Sequence, residues 1–186
     1  MSATLSPGQV TSPVLDRVVL AEAHWPASPA DTPGSLPAIA GFVLSAFNPL
    51  VVEVAERCLR AHFGPPPAGR DGDRTAIVLA SVRGDVTTAD AVAAAVAAGT
   101  RVPPLLFFQS NPNAVLGHVA ARWGLAGPVV CASPATEPGT DALACADLLF
   151  AAGEADRALV IVADLATGRG DNDQAVARLV TARGRA

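Results

Sequence analysis

Few of the 186 residues can do covalent or acid–base chemistry. There are three cysteines, Cys58, Cys131 and Cys145, and three histidines, His24, His62 and His118. All thirteen basic residues are arginine, so no lysine is present to form a Schiff base. The cysteines lack metal-ligand spacing. Cys58 and Cys145 fall within apolar helical patterns, where a thiol packs as a small inert hydrophobe. His24 and His62 stand alone in loop and helix contexts and read as surface or packing residues. No nucleophile is visible with a base beside it, which is what covalent catalysis requires.

The elements that would position these groups can be read from periodicity. Val14–Ala23 reads as a strand and the proline-rich 24–37 as a loop. Asn48 and Pro49 suit the N-cap and first position of a helix whose apolar residues are Leu50, Val51, Val54, Cys58 and Leu59. Thr75–Val82 is a continuous apolar run, the pattern of a strand buried on both faces. Thr88–Ala98, Asn113–Trp123 and Thr140–Ala152 read as helices, the last apolar on nearly every side and so expected to be buried all round. Val129–Ala132 and Arg157–Leu165 read as strands, and Gln174–Ala182 as a weak helix. Alternating strands and helices predict a layered α/β fold.

Half of the residues are hydrophobic, enough for one substantial core. No apolar run reaches the ~18–20 residues that span a bilayer, so no membrane association is expected. The first residues carry no basic stretch followed by an apolar block, so no signal peptide is read, and a reduced cytoplasmic setting is expected. The net charge of −4 gives no reason to expect nucleic acid.

A longer-range pattern lies between Arg101 and Leu165. It comprises Gly117-His118, the run Trp123-Gly124-Leu125-Ala126-Gly127-Pro128, and a small-residue helix after Gly139. In order and spacing this series resembles the nucleophile region of β-ketoacyl synthases, the condensing enzymes of fatty-acid and polyketide synthesis. The resemblance covers residues 40–165 and implies a thiolase-like α/β fold, with only the N-terminal of the family's two halves present. It assigns 1–167 to a ketosynthase-like domain and 168–186 to a polar tail. The family's cysteine position falls on Thr136, within Ala135-Thr136-Glu137-Pro138-Gly139. The two catalytic histidines and the lysine of the family's second half have no counterpart. Cys131 stands five positions before the nucleophile position, and His118 reads as structural.

Claisen condensation needs a thiolate, imidazoles and an oxyanion hole. A homologue without them resembles the chain-length factor of type II polyketide synthases, the inactive partner that closes the far end of the acyl tunnel. Ser110, Asn113 and Ala114 also match the Ser-x-x-Asn-Ala pattern of the short ketosynthase-like domains of aryl-polyene clusters. The resemblance implies a non-catalytic subunit of a highly reducing, polyene-type system, heterodimeric with a catalytic ketosynthase and meeting an acyl carrier protein. No cofactor or metal is expected. The tunnel and interface segment would be Leu105–Leu116, with Phe107, Phe108, Gln109, Asn111, Pro112 and Val115 as its key residues. Phe107 and Phe108 are rigid and large enough to define a tunnel end, and the amides of Gln109, Asn111 and Asn113 need partners that an interface would supply. The alternatives are half of a split condensing enzyme using Thr136 or Cys131, and a carrier-protein-binding remnant.

Overall fold

A computed structural model describes residues 16–166 and 172–183. Five strands form one mixed sheet: β1 (Arg17–Trp25), β2 (Thr75–Ala80), β3 (Val129–Ala132), β4 (Arg157–Asp164) and β5 (Gln174–Ala182). Their order is β1-β5-β4-β2-β3. β4, β2 and β3 run parallel, while β5 lies antiparallel to both β1 and β4. Helices α1 (Phe47–Phe63), α2 (Val86–Ala97), α3 (Pro104–Gln109), α4 (Pro112–Trp123) and α5 (Pro138–Ala151) connect them. The expected layered α/β architecture is the one observed.

Alternation along the strands divides the core between two faces. Ile77, Leu79, Leu159, Ile161 and Leu179 pack under α1 and α4 with Trp123 and Trp25. Ala76, Val78, Ala158, Val160 and Val180 pack under α5 against Ala142, Ala146 and Phe150. The run 123–128 follows from this packing. Trp123 is fully buried, and Gly124 ends α4 in the left-handed conformation that a side chain resists. A Cβ on Gly127 would lie 2.5 Å from the Thr75 carbonyl oxygen, and the Pro128 carbonyl accepts from Ile77 N at 2.9 Å. The glycine therefore lets the β3 approach lie directly against β2.

Three expectations are corrected. Gln174–Ala182 is not a weak helix but β5, paired on both sides, so this stretch of the supposed tail is part of the sheet. Its alanines suit a helix by propensity, but two neighbouring strands supply ladder partners that outweigh it. Asn48 is not an N-cap: α1 starts at Phe47, and Asn48 is buried inside its first turn. The helix α5 is buried on one face only, since Leu148 is 59 % exposed. Elsewhere the differences are of extent. β1 continues through Trp25, α2 begins at Val86, and a short 3-10 turn, Pro33–Ser35, lies in the proline-rich loop. Residues 14 and 15 of the expected first strand lie outside the described residues.

Candidate functional site

The position matched to a nucleophile lies at the start of α5. Thr136 is exposed, and its hydroxyl donates to Asp141 Oδ1 at 2.6 Å. The amides of Ala135 and Thr136 donate to Asp141 Oδ2 at 2.7 and 2.9 Å. Those of Gly139 and Thr140 donate to Glu137, the N-cap, at 3.0 and 2.6 Å. A helix N-terminus with open amides would stabilise a thiolate or an oxyanion. Here Glu137 already occupies two of those donors, and Asp141 takes the two amides just before the helix. Hydrogen bonds from Thr136 hold the Asp141 carboxyl below its ordinary range, and those from Gly139 and Thr140 do the same for Glu137. A carboxylate so held is a weak base toward the Thr136 hydroxyl.

The histidines have other partners. His24 pairs with Glu22, His62 meets Phe63 edge-on, and His118 meets Phe42 edge-on at 6.1 Å. The Cys58 thiol is buried and pushed up to about 11 by desolvation; burial also raises Cys131 and Cys145. Cys131 reaches the surface on β3 and donates to Asn113 Oδ1 at 3.1 Å.

Cys131 also lines a cavity of about 310 Å³ at the carboxyl ends of β2 and β3, with Phe47, Ser81, Asp85, Ser110 and Ser133. Crevices at this end of a parallel sheet are where α/β proteins place ligands. Its rim is fixed by Asp164 at the end of β4. Asp164 Oδ1 accepts from Ser81 Oγ at 2.9 Å and from the amides of Val82 and Arg83 at 3.0 and 3.2 Å. A larger cleft, about 450 Å³, runs beside α1 and α4. Its arginines Arg57, Arg60 and Arg122 are bound by Glu53 and Glu56.

The segment Leu105–Leu116 separates into an outward and an inward part. Phe107 is 76 % exposed and Phe108 54 %, both on the short helix α3. Asn111 caps α4, accepting from Asn113 N at 3.0 Å, and Pro112 is half-buried at that helix's first position. Val115 lies wholly within the first core face and offers no surface. Gln109 is buried, and its amide finds its partners inside the chain: Val43 N and O at 2.8 and 2.6 Å and Thr88 Oγ1 at 2.9 Å. Thr88 Oγ1 donates on to Asp85 Oδ2 at 2.7 Å, which also accepts from Asn48 Nδ2 at 3.2 Å. Of this buried cluster the sequence reading named only Gln109 as a site residue. The spacing of Asp85 from Thr88, an N-cap three residues ahead of its donor, was the available signal for the rest.

No protein-family model and no curated protein matches this sequence. Solved structures do match in fold. A ketosynthase in complex with its chain-length factor from Xenorhabdus doucetiae superposes with a TM-score of 0.69 at 18% identity, covering 90% of this chain and 79% of that one. The ishigamide ketosynthase/chain-length factor gives 0.66 at 19% identity over 85% of this chain and 49% of its own. A β-ketoacyl synthase from Burkholderia phymatum gives 0.63 at 17% identity, over 79% of this chain and 47% of its own. The chain thus spans about half the length of two of these three proteins. Its mixed sheet between helical layers is the thiolase-like fold of the ketosynthases and chain-length factors.

Proposed function

We propose that this chain is a non-catalytic, chain-length-factor-like subunit that pairs with an active ketosynthase and shapes its acyl tunnel in a highly reducing, polyene-type polyketide synthase. The observation that carries this reading is the start of α5. The sequence resemblance sets the family's nucleophile position at Thr136, and there the surrounding amides and the Thr136 hydroxyl are bound by Glu137 and Asp141. An acyl thioester or its oxyanion would find neither an activated nucleophile nor open donors there.

Two surfaces suit the pairing. β3 ends the sheet, with β2 its only strand partner among the described residues, and an edge strand readily accepts another chain. The side chains of Phe107 and Phe108 stand out from α3, where they can wall off a partner's apolar channel. An acyl carrier protein would deliver the chain to the partner's cysteine. The split-enzyme reading rests on Cys131, which is exposed beside the cavity. Its thiol is pushed up by burial and bound to an amide oxygen, so it is poorly activated.

The test is to co-express the chain with a Cys-His-His ketosynthase, load the pair with an acyl-thioester probe and map the adduct. Label on the ketosynthase alone is expected, with longer or more dispersed products from Phe107→Ala and Phe108→Ala. Label at Thr136 or Cys131 would assign the chemistry to this chain.

A further inference from the structure

The loop 41–45 beside α3 holds the one described non-glycine residue of positive φ. Leu44 has φ 78°, and Ser45 N donates to Val43 O at 3.0 Å across it. Together these are the marks of the rare γ-turn of positive φ, which a residue with a Cβ adopts only when its surroundings hold it there. Leu44 is 62 % exposed, so its own burial does not supply that hold.

The hold comes from Gln109. Its Oε1 accepts from Val43 N at 2.8 Å and its Nε2 donates to Val43 O at 2.6 Å, gripping both polar groups of the residue that opens the turn. The amide is anchored in turn by Thr88 Oγ1 and, through it, by Asp85. The Phe42 ring, one residue before Val43, lies 6.2 Å from the ring of Phe108, one residue before Gln109. The two segments are thus fastened by a paired hydrogen bond and a ring contact, side by side.

We propose that Gln109 is a positioning residue that locks the strained turn and so presents Leu44 and Phe108 as one rigid apolar ridge, the part of this subunit that sets product length. The inference rests on the chain-length reading above and adds which buried residue fixes the geometry of the stopper. Released from the clamp, the Val43–Leu44 backbone is free to relax to negative φ, and the ridge loses its shape.

The test uses Gln109→Met, which keeps length and removes both grips, in the co-purified ketosynthase pair. Amide hydrogen exchange at Val43 and Ser45 is expected to rise about five-fold, and the share of off-length product by a similar factor, as for loss of a typical hydrogen bond. A lowered melting temperature with unchanged exchange at those amides and unchanged product overturns the proposal and leaves Gln109 an ordinary core residue. If Gln109→Met does not fold, Gln109→Glu decides by the same measurements, since it keeps an acceptor for Val43 N and loses the donor to Val43 O. Phe108→Ala in the same preparation reports the chain-length reading by itself. Unchanged product there overturns that reading, while exchange in the Gln109 variants still decides the clamp.

Discussion

The start of α5 and the junction of α3 with loop 41–45 treat their polar groups in opposite ways. At α5 the hydrogen bonds are local: Glu137 and Asp141 satisfy amides within a few residues, at the surface, in an ordinary capping arrangement. At α3 they are long-range and buried: Gln109 reaches Val43, and Asp85 reaches Asn48. The first arrangement holds a helix end and nothing beyond it. The second holds a strained, exposed turn. Where a protein maintains strain at its surface, the surface geometry itself is the product.

Mutations can break that contrast. Asp85→Ala should have the largest effect. It removes the α2 cap, leaves the Thr88 hydroxyl without its acceptor and the Asn48 amide with only the Gln109 carbonyl, costing about 2–4 kcal/mol in urea unfolding. Asn48 Oδ1 is already buried with no partner among the described residues, so this cluster has little slack.

Acid should act more weakly, and at the other region. The carboxyls of Glu137 and Asp141 are both held below their ordinary values of 4.5 and 3.8 in the folded chain. Their contribution to stability is therefore present above those values and is lost as the pH falls through the lower folded ones. Thermal melts below pH 4.5 should show this loss, and the double variant Glu137→Gln, Asp141→Asn should flatten it. The smallest expected effect is that of Thr136→Cys. Placed against Asp141 and Glu137, the new thiol should alkylate with iodoacetamide no faster than an ordinary surface cysteine. Fast alkylation, or acyl transfer to it, would erase the contrast.

Much of the fold could be read from periodicity because β2 and β4 carry unbroken apolar runs, Ala76–Ala80 and Ala158–Ala163, and the helices carry clear stops. β5 could not: the segment QAVARLVTA is rich in helix formers, and its strand state is decided by β1 and β4, distant in sequence. Counting on from Gly127-Pro128 sets the expected nucleophile position at Thr136, but the carboxylate bound around that residue was not legible, since Asp141 looks like any first-turn acid. Gln109 was expected to find its partners across an interface, and it finds them inside the chain instead. Those partners lie 66 and 21 residues away, one of them a backbone peptide, which no sequence pattern reports.

The place of β5 has a consequence for how the chain comes together. In chain order β1 precedes β4, and the slot between them is filled by β5, which follows both. Among the described residues β5 is the only strand that β1 pairs with, and it covers the edge of β4 away from β2. Among the described residues, the first strand therefore joins the sheet only through a strand made long after it.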